Sequence, residues 1–107
     1  MQNLVIKTGR GEYHPVKVED ILFLESLKGR TKIHFVTSEL QVNHSISYVI
    51  EHLGDKFIQC HRKYAVNTEK VTVFNKSKIK IDQTLVSLGQ KYKQTFFERM
   101  LNKRKLI

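Results

Sequence analysis

Two short apolar runs enclose a basic tripeptide in the stretch Phe57-Ile58-Gln59-Cys60-His61-Arg62-Lys63-Tyr64-Ala65-Val66-Asn67. Apolar segments of this length, bounded by polar residues, are typical of β-strands. The stretch therefore predicts two strands connected by a turn that carries the basic residues. Neighbouring side chains of a strand point to opposite faces, so Cys60 and His61 cannot form a nucleophile–base pair with each other.

Similar apolar runs occur on both sides of this stretch, separated by residues that favour turns. Gly9-Arg10-Gly11, Lys28-Gly29 and Asp82-Gln83 are the clearest of these turn sequences. Pro15 lies inside a predicted strand and has to sit at a sheet edge, because it donates no ladder hydrogen bond. The predicted strands cover residues 4–6, 13–18, 21–24, 32–36, 40–42, 57–60, 64–66, 71–74, 78–81 and 84–86.

Two segments have the periodicity of a helix. The i, i+3, i+4, i+7 spacing of one helix face is occupied by Ile46, Val49, Ile50 and Leu53. Gly54 follows at the position where a glycine commonly ends a helix. The residues 87–90, Ser-Leu-Gly-Gln, fit a capping box, which predicts that a second helix begins there. The expected fold is mainly β, with one short mid-chain helix and a C-terminal helix.

Length and composition indicate a single globular domain. The 107 residues are enough for one hydrophobic core, and 40% of them are hydrophobic. No segment reaches the roughly 18 apolar residues of a membrane span, and the amino terminus lacks the pattern of a secretory signal. Cys60 is the only cysteine, which excludes an intramolecular disulfide and fits a reducing compartment. We therefore expect a cytoplasmic protein.

The charge of the chain is strongly positive and unevenly distributed. Lys and Arg number 19 against 10 Asp and Glu, which gives a net charge of +9. Residues 1–53 contain six basic and six acidic side chains, so the whole excess belongs to residues 54–107. Such an excess favours a polyanionic partner. Double-stranded DNA, RNA, an anionic membrane surface and an acidic protein are all compatible with it.

Basic or polar clusters interrupt the predicted strands at residues 28–32, at residues 61–63 with Asn67, and at Gln90-Lys91. Arg, Gln and Asn can present paired donors or acceptors to base edges, whereas Lys meets phosphates as a point charge. Three unrelated solvated loops would produce the same spacing, so the spacing alone leaves both interpretations open.

Signatures of catalysis and of metal binding are absent from the sequence. The five histidines have none of the usual metal-ligand spacings. The glycines around Arg10 lack the frame of a phosphate loop and precede a predicted strand instead of a helix. Cys60 is best explained as a buried structural thiol. We expect no enzymatic activity, no metal, no cofactor and no small-molecule ligand.

Four segments resemble, in order and spacing, the motifs of the LytTR DNA-binding domain. Residues 18–26 are similar to its opening motif, v-x-D-I-x-y-I-E. Residues 53–67 are similar to its hallmark, L-x-x-x-F-x-r-x-H-R-s-y-l-V-N, in which His61-Arg62 and Val66-Asn67 are the most specific elements. Residues 42–53 match the helix motif between them, and residues 86–87 match the closing v-S. The resemblance predicts a domain over residues 2–100, followed by a basic tail at 101–107.

This resemblance implies an elongated, mainly β fold of about ten short strands in small sheets. It also implies sequence-specific binding of double-stranded DNA as the output domain of a bacterial transcription regulator, with loop side chains in successive grooves. The alternative is a basic interaction module that binds RNA, an anionic membrane surface or an acidic protein.

The contact positions of the family carry over to the three clusters. The implied base contacts are Arg30, Thr31, Arg62 and Gln90. The implied phosphate contacts are Lys28, Lys32, Lys63 and Lys91. His61 and Asn67 are expected to order the loops. Family members often have Arg shortly after the closing serine, whereas this chain has Leu88-Gly89, so the third contact is expected at Gln90 or Lys91.

The resemblance further implies partners. Paired direct-repeat DNA sites are expected, with a homodimer that forms on DNA. A receiver domain or a sensor kinase pathway would act from outside these 107 residues.

Overall fold

Ten short strands form three antiparallel sheets in the computed structural model, which describes residues 3–102 and 104–107. The strands are β1 (Asn3–Lys7), β2 (Tyr13–Lys17), β3 (Phe23–Leu27), β4 (Arg30–His34), β5 (Glu39–Val42), β6 (Phe57–His61), β7 (Tyr64–Asn67), β8 (Val71–Phe74), β9 (Lys78–Ile81) and β10 (Thr84–Ser87). The helices are α1 (Ile46–Leu53) and α2 (Lys93–Leu101). The extents of 46 × 30 × 24 Å confirm the elongated, mainly β fold.

The largest sheet has five strands in the order β5-β4-β3-β7-β6. A two-stranded sheet of β1 and β2 and a three-stranded sheet of β8, β9 and β10 accompany it. In the two-stranded sheet Pro15 lies opposite Val5 on β2, whose only described partner is β1. The missing N–H of Pro15 therefore costs no ladder hydrogen bond inside a sheet, and the prediction of an edge position is confirmed.

One face of the five-stranded sheet is covered by α1 and the β1–β2 hairpin. Leu24 pairs in register with Ile33 on one side and Ala65 on the other, so all three side chains point to the same face. They are buried together with the apolar residues of α1. Ser45 caps this helix by accepting a hydrogen bond from the Tyr48 N–H at 3.2 Å, and Gly54 ends it with a φ of +101°. The predicted helix 46–53 is confirmed.

The opposite face carries a second core, against which the three-stranded sheet and α2 pack. Phe96 of α2 is fully buried there and makes an edge contact with Phe74, with ring centroids 5.2 Å apart. Cys60 belongs to the same core and is 0% exposed, which confirms the structural thiol. Burial raises the pKa of the Cys60 thiol to about 12. The thiol therefore keeps its proton at neutral pH and is a poor nucleophile.

The predicted start of the second helix is wrong. Ser87 ends β10, opposite Lys78, instead of capping a helix. The next two N–H groups are committed to other segments, because Leu88 donates to the carbonyl of Ser77, in the turn before β9, at 3.0 Å, and Gly89 to the Cys60 carbonyl of β6 at 2.8 Å. A 3-10 turn over Gln90–Tyr92 follows, and α2 begins only at Lys93.

One strand boundary also differs from the prediction, and part of the predicted domain range lies outside the described residues. The strand expected over residues 21–24 begins at Phe23, because a 3-10 turn over Val18–Asp20 precedes it. The expected domain start at residue 2 and Lys103 of the expected basic tail lie outside the described residues.

Within the described part of the chain, no helix has the length and apolar composition needed to cross a membrane.

Asn67, at the end of β7, is a buried polar residue that joins β7 to the segment before β3. Its side chain is 1% exposed, and Nδ2 donates to the Ile21 carbonyl at 2.9 Å. Its Oδ1 accepts from the Glu69 N–H at 3.1 Å, and its own N–H donates to the Leu22 carbonyl at 3.0 Å. Both functional groups of the amide are therefore satisfied without water.

Replacing this residue, Asn67→Ala, should lower the free energy of unfolding by about 1–3 kcal/mol, because it leaves the buried Ile21 carbonyl without its side-chain donor. Urea denaturation measures the change. The matched control is Asn102→Ala at an exposed position, which should stay within about 0.5 kcal/mol of the wild type. Equal effects of the two substitutions would contradict the role given to Asn67.

Candidate nucleic-acid interface

Two basic turns lie side by side at one end of the five-stranded sheet. Lys28-Gly29 connects β3 to β4, and Arg62-Lys63 connects β6 to β7. Because β3 runs antiparallel to β7, with Glu25 opposite Tyr64, the end of β3 and the start of β7 meet at the same end of the sheet. The Ser26 N–H donates to the Lys63 carbonyl at 2.7 Å, which holds the two turns together.

The loop that follows β10 lies beside the Arg62-Lys63 turn. The hydrogen bond from Gly89 to the Cys60 carbonyl brings this loop to the end of β6. A Cβ atom at position 89 would lie 3.3 Å from the Tyr92 ring, which is a tight contact, and 3.4 Å from the His61 ring. The close approach accounts for a glycine here. The three sequence clusters, apart from the buried Asn67 at the other end of β7, therefore form one continuous surface. We call it the loop row: residues 28–32, 61–63 and 89–91.

The turn between β6 and β7 is held in one conformation by two side chains of β6. The Lys63 N–H donates to Nδ1 of His61 at 3.0 Å. Nε2 of Gln59 donates to the carbonyls of His61 and Arg62, at 3.1 and 3.3 Å. A β-bulge between Gln59 and His61 accommodates these bonds. The side chains of Arg62 and Lys63 are exposed on this ordered turn.

The three residues that begin β4 differ in their access to a ligand. Arg30 is exposed. Thr31 points to the opposite face, is 0% exposed, and donates its hydroxyl to the His44 carbonyl at 2.8 Å. Lys32 is partly buried, with Nζ 3.4 Å from Oε1 of Glu39. The period-2 alternation of a strand explains why the middle residue alone faces the core. A buried hydroxyl with a partner has no access to a base edge, so Thr31 does not fit the expected contact role.

The remaining members of the loop row are exposed. Lys28 and Lys91 carry their charges in solvent. Gln90 is also exposed, and its Oε1 accepts a hydrogen bond from Nζ of Lys93 at 3.2 Å. This bond leaves the amide N–H groups of Gln90 available as donors.

A charged cluster beside the loop row escaped the sequence analysis. Nε2 of His34 lies 3.0 Å from Oε1 of Glu25, and its Nδ1 lies 3.8 Å from Oε2 of Glu39. The His34 ring also stacks on Phe23, with centroids 4.2 Å apart. The cluster arises from cross-strand pairs, Glu25 with Lys32 and His34 with Glu39. Only the strand register could have revealed it.

Features expected of a metal centre do not occur in the described residues. No group of three or more His, Cys, Asp or Glu side chains is arranged there to hold an ion. The exposed groups of the loop row are instead cationic or amide donors, which suit the oxygen acceptors of phosphates and bases.

Comparisons with known proteins agree with this geometry. A family model described as the LytTr DNA-binding domain matches residues 11–101. Among solved structures, the chain is similar to a LytTr DNA-binding domain described as part of a methyl-accepting/DNA response regulator from Bacillus cereus. The TM-score is 0.73 at 23% identity, over 94% of this chain and 97% of the other. At that identity the likeness shows the fold. No match was found among curated proteins.

The variant Thr31→Val separates packing from ligand contact at the start of β4. It keeps the buried volume and removes the donor to the His44 carbonyl, so the free energy of unfolding should fall by about 0.5–1.5 kcal/mol. DNA affinity of the folded protein should stay within about twofold, because the buried hydroxyl is already bonded to the His44 carbonyl. Urea denaturation and fluorescence anisotropy measure the two effects. The control is Thr95→Val at an exposed position of α2, and a loss of affinity at unchanged stability would contradict this interpretation.

Proposed function

The chain belongs to the LytTr DNA-binding domain family, and from that premise we propose that it binds double-stranded DNA sequence-specifically as the output domain of a bacterial transcription regulator. The observation that carries the proposal is the loop row. Three loops that are distant in sequence present exposed cationic and amide side chains at one end of one sheet. A positive surface of this kind attracts the phosphate backbone. The affinity of the protein for DNA then falls as the salt concentration rises.

Arg62 and Arg30 are the proposed base-reading residues, with Gln90 as a third. A guanidinium can donate two parallel hydrogen bonds to O6 and N7 of guanine in the major groove, and an amide can bind N6 and N7 of adenine in the same way. Arg62 is the best placed of the three, because His61 and Gln59 order the backbone on both sides of it. An ordered backbone lowers the entropy lost when the side chain meets its base.

Lys28, Lys63 and Lys91 are the proposed phosphate contacts. Each is exposed on a turn or loop, where a flexible ammonium group can reach a backbone oxygen. Lys32 contributes less to phosphate binding than these three lysines, because its ammonium group is already 3.4 Å from the Glu39 carboxylate. Thr31 is left out of the contact set because it is buried. His61 orders the turn between β6 and β7 and is not assigned a DNA contact. Asn67 instead joins the other end of β7 to the segment before β3, away from the loop row.

The width of the loop row supports contacts in more than one groove. Four adjacent strands from β4 to β6 span about 14 Å at the usual spacing of neighbouring strands. The loop after β10 lies beside β6 and widens the row further. The major groove is only about 12 Å wide, so side chains at the two ends of the row belong in different grooves.

We further propose that the domain occupies paired direct repeats and forms a homodimer on DNA. A receiver domain or a sensor kinase pathway would supply the signal from outside the 107 residues. The match to a domain described as part of a response regulator supports the proposal of a receiver domain or sensor kinase pathway.

Selection of bound duplexes from a random pool tests the proposed function. The expected result is one enriched sequence motif in two copies with the same orientation, separated by about one helical turn of 10–10.5 bp or a multiple of it. Bound duplexes without an enriched motif would refute sequence specificity. An enriched inverted repeat would refute the direct-repeat arrangement alone.

On the selected site, Arg62→Ala should weaken binding by about 1–3 kcal/mol and relax the preference at one base pair. The matched control is Lys63→Ala on the same turn, which should weaken all sequences alike and reduce the salt slope by about 1. Fluorescence anisotropy against the selected duplex and single-base variants measures both. An Arg62→Ala protein that keeps the wild-type preference at every position would contradict the base-reading role.

A further inference from the structure

We propose that Arg10, in the turn between β1 and β2, extends the DNA-binding surface by one phosphate contact. Neither the sequence motifs nor the family contact positions include this residue. The inference rests on the proposed function, because its ligand is the phosphate backbone of the same duplex.

The β1–β2 turn lies at the same end of the five-stranded sheet as the loop row. The Gly9 N–H donates to the Gln41 carbonyl of β5 at 3.1 Å, which attaches the turn to the sheet. Gln41 pairs with Lys32, and the next residue, Val42, pairs with Thr31, so this attachment point lies towards the Lys28-Gly29 turn. The β1–β2 turn therefore continues the loop row beyond β4 and β5.

The turn itself is internally ordered. The Thr8 N–H donates to the Glu12 carbonyl at 2.8 Å, and the Gly11 N–H donates to the Thr8 carbonyl at 3.0 Å. The Thr8 hydroxyl also accepts from the Glu12 N–H at 3.2 Å. Gly11 has a φ of +84°, a conformation that a glycine adopts without strain. Arg10 is thus presented from a fixed backbone and is exposed.

Arg10 and Arg30 line the same open groove. The groove has a volume of about 470 Å³ and lies between the turn and strands β4 and β5. Glu12 and Glu39 are its acidic lining residues. Arg30 is already a proposed DNA contact, so a duplex that reaches Arg30 brings its backbone to this groove.

The two carboxylates of the groove already have other cationic or imidazole partners. Oε1 of Glu12 lies 3.3 Å from Nε2 of His14, and Oε1 of Glu39 lies 3.4 Å from Nζ of Lys32. In the described part of the chain, no carboxylate lies within 4.0 Å of the guanidinium of Arg10 or Arg30.

Two guanidinium groups on one groove repel each other until an anion lies between them. Each presents a planar fork of N–H donors that matches phosphate oxygens. The groove has a mainly polar lining and shares Arg30 with the loop row, so the phosphate it fits is part of a nucleic-acid backbone that passes across the surface.

The variant Arg10→Ala tests the contact on the duplex recovered by selection. Anisotropy titrations between about 50 and 200 mM KCl should give a plot of log K against log salt that is shallower by about 0.9, with affinity lower by roughly fivefold to tenfold at 0.1 M. Arg10→Lys should keep most of the wild-type slope, because a point charge suffices for a phosphate. The preference among single-base variants of the site should not change.

Lys17→Ala is the matched control. Lys17 is exposed on the same hairpin but pairs with Asn3, at the end away from the turn, so its loss should leave the slope at the wild-type value. Circular dichroism and thermal melting establish that the variants are folded, which is expected because Arg10 is an exposed turn residue.

Three outcomes would overturn the inference. A wild-type slope in folded Arg10→Ala, while Lys63→Ala still reduces it, would dismiss Arg10 and leave the proposed function standing. A second outcome is that Arg10→Ala binds the duplex as the wild type does, while inorganic phosphate changes the amide chemical shifts of Gly9 to Gly11 in the wild type. That result would assign the groove to small phosphate compounds. Failure of the wild-type chain to bind any duplex would remove both this inference and the proposed function.

Discussion

The antiparallel pairing of β3 with β7 is the constraint on which the rest of the structure depends. It joins two hairpins whose turns are more than thirty residues apart in sequence and fixes these turns at the same end of the sheet. Asn67 and Ser26 reinforce this pairing with hydrogen bonds at either end, to the Ile21 and Lys63 carbonyls respectively. The helix on one face and the smaller sheet on the other bury the paired strands in two separate cores. Without this pairing, the basic turns would have no fixed spacing.

Charge on this protein acts through position more than through its total. The net charge of +9 draws any polyanion, whereas the cations of the loop row, with Arg10 beside them, are held where a duplex could meet several of them at once. In the cluster of Glu25, Glu39, Lys32 and His34 beside the row, the side chains are instead paired with each other. There the Glu39 carboxylate lies 3.4 Å from the ammonium group of Lys32 on the neighbouring strand and neutralises it. Such pairs lower the local positive field and restrict the attraction to the turns.

Much of the fold could be predicted from short-range patterns. The strict alternation of residues 78–81 and the i, i+3, i+4, i+7 spacing of 46–53 each reflect a local backbone geometry, and both were confirmed. The capping box at Ser87 failed because the N–H groups that a helix would have left free were taken by Ser77 and by Cys60 on another strand. The burial of Thr31 could not be predicted for a related reason, since a strand position reveals its face only once the neighbouring strands are known.

The sequence by itself determined the strand-rich character of the chain, its family, the turns that carry basic residues and the position of the excess charge. These features depend on residue type and on spacing over a few positions, which local backbone geometry translates directly into strands, turns and one helix. Only the tertiary structure decided which turns lie together, which basic side chains remain free, and that Arg10 shares a groove with Arg30. The physical reason is that these relations depend on hydrogen bonds and packing between strands distant in sequence, which no local pattern encodes.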